Sequence, residues 1–200
     1  MIKAIFFDLG GVLVNDLFPL MESYLSGISG KPYPLVREVR KQYWLDYELG
    51  RMDGVKFFQL QIDDLGVDLN AEEVLAKSIE VLKTRPEVVE IVRMIRATGK
   101  YTLGVLSNNT DEWFEHTKNE LGLGDLFDVW VCSSHHHVKK PDAEIYRIAA
   151  EQAGLPTQNC LFIDNRQHNI DGAKAAGMKG IVYTCPEKLR SELKRLGVEL

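Results

Sequence analysis

The sequence predicts an α/β fold in which strands and helices alternate around a parallel sheet, broken after the first strand by an all-helical insertion. Two observations carry that prediction. Short apolar or β-branched runs recur at residues 2–7, 101–106, 128–132, 159–163 and 180–183, each beside a stretch with helical periodicity, which is the pattern of βα units. Residues 16–83, by contrast, hold several amphipathic stretches and no convincing strand.

The elements follow in order. In IFFDLGGVLV, residues 5–14, the first strand runs into Asp8 and then a turn containing Gly10 and Gly11. The breaks SGISGKPYP, LGRMDG and LGVDLN divide the insertion into about four helices. Thr84 and Glu87 have the spacing of a capping box, Val88, Ile91, Val92 and Ile95 fall on one helical face, and Gly99 supplies the stop. After the second strand a helix begins near Asp111. Pro141 and Asp142 open another, with Ile145, Ile148 and Ala149 as its stripe and Gly154 at its end. Leu189, Leu193 and Leu196 stripe the last helix. The division expected is a core of residues 1–14 and 84–200 and a helical cap of residues 15–83, with hinges near Asn15 and Lys83.

Composition narrows the function. With 200 residues, 45% of them hydrophobic and 26% charged, the chain is an ordinary globular sequence. A net charge of -5 without a basic stripe argues against nucleic-acid binding, and no apolar run approaches membrane-spanning length. The first residues lack a charged-then-apolar signal pattern, so the cytoplasm is the expected location. Cys132, Cys160 and Cys185 form no CxxC pair and read as small core hydrophobes.

The strand ends carry the chemistry. The first ends in Asp8, the second in Ser107 and Asn108, the fourth in Asp164 and Asn165, and Lys140 stands just before a helix. In a parallel sheet such ends meet on one edge, where ligands bind, and an insertion after the first strand lies over that edge as a lid. A carboxylate nucleophile, hydroxyl and amide donors, a cation and a second carboxylate suit a phosphate ester with a divalent ion.

Taken together, these four motifs resemble the haloacid dehalogenase superfamily. The likeness is to its phosphatase-like branch with a helical, C1-type cap, in the subgroup whose first motif reads Asp-x-Gly. The resemblance implies a Rossmann-like three-layer parallel-sheet core with an all-helical cap inserted after the first strand. It implies a phosphomonoester hydrolase that uses Mg²⁺ and acts on a small phosphorylated metabolite such as a sugar phosphate, as a monomer or homodimer. Asp8 would attack phosphorus and become an aspartyl-phosphate, and Lys140 would offset the charge on Asp8 and the phosphate. Ser107 and the Asn108 amide would hold the phosphoryl oxygens. Asp8, the Gly10 carbonyl, Asp164 and Asn165 would hold the metal.

Two departures stand out. Gly10 occupies the position where relatives commonly have the aspartate that protonates the leaving group, and Asn165 follows Asp164 where a second acid is common. Asp46 or Glu48 of the insertion is the expected substitute acid. Two alternatives stay open: a metal-independent dehalogenase-type hydrolase using the same Asp, Ser and Lys, and a catalytically degraded binding or regulatory module. His135, His136 and His137 are consecutive, cannot all face one ion, and read as an exposed loop. Tyr24, Tyr43, Trp44 and Tyr47 are expected to fill the cap's own core.

Overall fold

The computed structural model describes residues 1–200. Five strands, β1 (Ala4–Phe7), β2 (Thr102–Ser107), β3 (Val129–Cys132), β4 (Cys160–Asp164) and β5 (Lys179–Val182), form one parallel sheet in the order β3-β2-β1-β4-β5. The apolar runs are continuous rather than alternating because both faces of the sheet are covered. Ile5, Phe7, Leu103, Val105, Leu161 and Ile163 point into one core, while Ala4, Phe6, Leu106, Cys160 and Phe162 point into the other.

Helices α5 (Pro86–Ala97) and α10 (Pro186–Arg195) close the first face through Val88, Ile91, Val92, Ile95, Leu189 and Leu193. Helices α8 (Ala143–Gln152) and α9 (Gln167–Ala175) close the second through Ile145, Tyr146, Ala149, Ile170 and Ala173. The result is the three-layer α/β core that the strand pattern predicts. No helix is long and apolar enough to cross a membrane.

Residues between β1 and α5 form four helices, α1 (Leu17–Ser29), α2 (Tyr33–Glu48), α3 (Gly54–Leu65) and α4 (Ala71–Glu80). Asp16, Asp53 and Asn70 cap α1, α3 and α4 by accepting backbone N–H bonds, and Gly30 and Gly66 end α1 and α3 in the left-handed conformation. Their apolar faces are continuous with the core of the sheet's first face rather than forming a separate cluster. The two chain crossings are stitched together: Asn15 N–H donates to the Lys83 carbonyl at 3.0 Å, and the Asn15 amide bonds both Val81 O and Lys83 N–H.

Three local expectations need correction. The capping box at Thr84 and Glu87 does not form, because Arg85 is the N-cap of α5 and makes no side-chain cap bond; Pro86 in the first turn starts the helix by its preset φ. The histidine run is not a loop: Ser133–His136 form a short helix, α7, and His137 ends it with φ of 55°. The three rings go to separate partners, Asp111, Gln152 and the Leu49 carbonyl. Trp44 packs edge-on against Tyr47 and Phe57 in the cap's core as expected, but it is half-buried and lines a cavity as well, unlike Tyr47, which is fully within the core.

Between β2 and β3, helix α6 (Asp111–Asn119) receives the insertion. Tyr47 Oη and Gly54 N–H both donate to the Glu112 carboxylate, at 2.9 and 2.7 Å, and Trp113 donates its indole N–H to Ser78 Oγ at 2.7 Å. Trp44 stacks on Trp113 with ring centroids 5.8 Å apart. Below them α7 donates through Ser133 Oγ to the Glu48 carbonyl at 2.6 Å.

Candidate active site

β1 delivers Asp8 to the carboxyl edge of the sheet at the point where the strand order reverses, between β1 and β4. The Asp8 backbone N–H still pairs with Ile163 O at 2.9 Å, so the residue belongs to the ladder while its side chain looks out of it. Its Oδ1 accepts the Leu9 N–H at 2.8 Å and lies 2.9 Å from Lys140 Nζ. The chain then turns sharply, with Val12, Leu13 and Val14 N–H groups all directed at the Leu9 carbonyl.

The two glycines of this turn differ. Gly11 has φ of +80° and lies so close to Asn165 that a Cβ would meet its Nδ2 at 2.3 Å, so only glycine fits. Gly10 has neither constraint, since a Cβ there meets nothing within 4 Å.

Lys140 is the hub. Its ammonium donates to Asp164 Oδ2 at 2.8 Å and to Leu106 O at 3.0 Å in addition to facing Asp8, and the residue is 2% exposed. Asn108 sets its position: the amide accepts from Lys140 N–H at 2.8 Å and donates to Lys140 O at 3.0 Å, clasping the loop before α8 to the end of β2. Asp164 is fully buried behind this lysine, and Arg166 N–H at 2.7 Å and Asn169 Nδ2 at 2.9 Å are its other donors.

Charge follows from this packing. Burial pushes the Asp8 carboxyl up to about 6, helped by the Asp164 charge and opposed by Lys140 and the Ser107 hydroxyl. Burial acts against ionised Asp164 too, but Lys140 and the Arg166 and Asn169 donors outweigh it and hold that carboxyl below its ordinary value. Burial likewise disfavours the Lys140 ammonium, and the two carboxylates overcome it, keeping the lysine charged. Burial raises the Cys132 thiol to about 12 and Cys160 to about 11, which leaves neither as a nucleophile.

A cavity of about 70 Å³ opens over Asp8. Gly10, Ser107, Asn108 and Lys140 share its floor with Asp8, so five of the seven candidate residues meet there. Asp164 and Asn165 do not reach its wall. Phe18, Trp44 and Trp113 form an aromatic side, and Asp16 and Glu48 bring carboxylates from the insertion. Glu48 is 3% exposed and paired with Lys139, whereas Asp46 pairs with Arg51 at the surface, away from the cavity.

The donors fit a small hard cation through oxygen alone. Asn165 Oδ1 is buried with no hydrogen-bond partner beside the β1 turn, and the Gly10 carbonyl and the Asp8 carboxylate belong to the same turn. Only one of these is a carboxylate, because Asp164 is committed to Lys140, and no group of three His, Cys, Asp or Glu side chains converges anywhere in the chain.

Arg166, Asn169, Phe18 and Trp113 escaped the sequence reading. Asn169 had a weak signal, a polar residue in the first turn of a helix that follows a polar strand end. The aromatics had none, since Phe18 of α1 and Trp113 of α6 are brought to one side only by Trp44 of α2, which packs against both.

A three-layer parallel sheet with a strand-end carboxylate, a buried lysine and a helical insertion above them defines a hydrolase class. Residues 2–177 match the haloacid dehalogenase-like hydrolase family, and the chain belongs to it. It is 29% identical to Phosphatase MT3486 of Mycobacterium tuberculosis, over 89% of this chain and 85% of that one. It is 28% identical to the (S)-2-haloacid dehalogenase of Pseudomonas sp. (strain YL), over 88% of this chain and 80% of that one. The fold is that of the HAD family enzyme bt-2542 of Bacteroides thetaiotaomicron in its complex with magnesium and inorganic phosphate, with a TM-score of 0.73 at 20% identity over 92% of this chain and 95% of that one.

Proposed function

We propose that this hydrolase is a phosphomonoesterase that works through a covalent phosphoryl group on Asp8. The observation that carries the reading is the anchoring of Asp8. Its Oδ1 is tied to Leu9 N–H and Lys140, and the residue lies in the floor of the cavity beside Ser107 and Asn108. A nucleophile held by one oxygen presents the other in a single direction, and positioning is most of what phosphoryl transfer requires. The likeness to a phosphatase and to an enzyme that binds magnesium and phosphate supports it.

Asp8 Oδ2 forms a bond to phosphorus as the ester P–O bond breaks, and the electron pair departs on the alcohol oxygen. Ser107, the Asn108 N–H and Lys140 meet the phosphoryl oxygens, where their donors oppose the charge of the transition state. Water then attacks the phosphorus of the aspartyl-phosphate, its proton passing to a base, as the P–O bond to Asp8 breaks and its electron pair returns to the carboxylate, and inorganic phosphate leaves. Glu48, carried by the insertion and held at the cavity by Lys139, serves as that base in place of the missing residue at Gly10. Mg²⁺, held by Asp8, the Gly10 carbonyl and Asn165 Oδ1 with Asp164 in support through Lys140, would supply charge neutralisation at the transferring group.

A second reading has its own support. Lys140 satisfies both carboxylates without a metal ion, and displacement of halide from carbon needs no leaving-group acid, so a dehalogenase also fits Gly10. Assaying p-nitrophenyl phosphate and 2-chloropropionate, each with Mg²⁺ and with EDTA, separates the two. The phosphatase reading expects Mg²⁺-dependent release of p-nitrophenol and a phosphorylated Asp8 peptide after acid quench, both lost in Asp8→Ala. Chloride release without phosphatase activity would replace it, and inertness toward both would leave a binding module.

A further inference from the structure

Next to the active-site cavity lies a second one of about 480 Å³, and Asp16, Phe18, Trp44 and Arg166 are walls of both. Beyond this partition the lining turns basic. Arg37, Arg40 and Lys41 from α2 and Arg166 from the turn after β4 stand against only two acids, Asp16 and Glu22, in a chain whose overall charge is -5.

The acids are already engaged. Glu22 is 3% exposed and takes Arg40 Nε at 2.6 Å, and Asp16 accepts the Phe18 N–H at 3.3 Å as the cap of α1. Arg40 is part of the wall, with its guanidinium 4.1 Å from the Phe18 ring centre, and Lys41 pairs with Glu38 at the surface. Arg37 and Arg166 remain. Both are exposed, neither enters an ion pair, and the one bond Arg166 donates is from its backbone, to Asp164. A guanidinium is built to take a planar or tetrahedral anion through two N–H groups.

We propose that this cleft binds a second anionic group of the substrate, a carboxylate or a phosphate. The substrate is then an organic phosphomonoester with an apolar middle that lies on Phe18 and Trp44, its phosphoryl group at Asp8 and its other charged end between Arg166 and Arg37. The inference rests on the phosphatase reading and adds the substrate class to it. The aromatic partition explains why the middle is apolar: a body passing from one cavity to the other crosses the edge-to-face pair of Phe18 and Trp44, whose centroids are 4.6 Å apart.

The test is calorimetric binding of three probe series with propyl to hexyl spacers: alkylphosphonates, ω-carboxyalkylphosphonates and α,ω-bisphosphonates, with inorganic phosphate as reference. At one spacer length the carboxylate or the bisphosphonate is expected to bind roughly tenfold more tightly than the plain phosphonate. That gain should shrink severalfold in Arg37→Ala and in Arg166→Ala and fall with added salt. The arm with the larger gain identifies the second group. Equal affinity across all arms, or a gain untouched by both substitutions, overturns the second-anion site while leaving the phosphatase reading in place. Failure of every phosphonate and of inorganic phosphate to bind overturns both.

Discussion

Two adjacent lysines serve two regions of this molecule. Lys140 belongs to the sheet edge, where its side chain is 1% exposed and bridges Asp8 and Asp164. Lys139 belongs to the interface with the insertion, where its side chain is 32% exposed and meets Glu48 at the end of α2. The first pairing is enclosed by strands on both sides and held by the Asn108 clasp, so it has one arrangement. The second lies at a seam of hydrogen bonds between the insertion and α7, Ser133 to Glu48 O and His137 to Leu49 O among them. The reactive side chains are therefore fixed by the sheet, while the insertion joins it at this seam and through a shared apolar core.

The comparison is sharpened most by putting an acid back at the sheet edge. Gly10→Asp is sterically free, so it is expected to raise turnover of alkyl phosphates by about 10²- to 10⁴-fold, with little effect on p-nitrophenyl phosphate, whose leaving group needs no proton. Rates across a leaving-group series measure it. A uniform fall for all substrates would mean that the turn rejects the side chain after all.

Next in size is a stability effect. The Asp8 carboxyl stands at about 6 in the folded chain against 3.8 as its ordinary value. A raised carboxyl favours the protonated form, so its contribution is complete below about pH 4 and is lost as pH rises through about 6, for a total of about 3 kcal/mol. Asp164 runs the other way, its contribution present at neutral pH and lost as pH falls through its lowered value. Asp8→Asn removes the first contribution together with one of the two charges that favour the Lys140 ammonium, and because burial is the largest cause at Asp8 the variant should in EDTA be more stable than the parent above about pH 6, the difference closing as pH falls toward about 4. Urea denaturation across that range decides; equal stability at neutral pH would mean that the empty site carries no such burden.

Asn165→Asp tests the cation site. A carboxylate in place of the orphaned amide oxygen is expected to tighten Mg²⁺ by about 1–3 kcal/mol, read by calorimetry on the resting protein. A parent already saturated at micromolar Mg²⁺ would show that the neutral ligand suffices.

The smallest effect belongs to the seam. Lys139→Ala leaves Glu48 without its cation and should lower hydrogen-exchange protection around the end of α2 by about 1 kcal/mol, with β1 and β4 unchanged. Equal loss in the strands would mean that the insertion and the sheet open as one unit.

Much of this architecture was legible in the chain. The strands appear within about two residues of their apolar runs, because a strand covered on both faces must be apolar throughout, and that is a local property of sequence. The polar residues ending the first and second runs and the lysine before a helix were equally visible, which is why Asp8, Ser107, Asn108 and Lys140 were found together. Tertiary structure alone decided their duties. Asn108 clasps Lys140 across 32 residues, and Asp164 belongs to Lys140 and Asn169 rather than to the open cavity. The capping box at Thr84 lost to Pro86, and Trp44, while packed on the cap's core, also lines the cavity and stacks on Trp113. The basic cleft joins α1, α2 and the turn after β4, segments far apart in the chain. Periodicity records which face of an element is buried; it does not record which distant element buries it, and hydrogen bonds and charge pairs across such contacts are settled only when the layers meet.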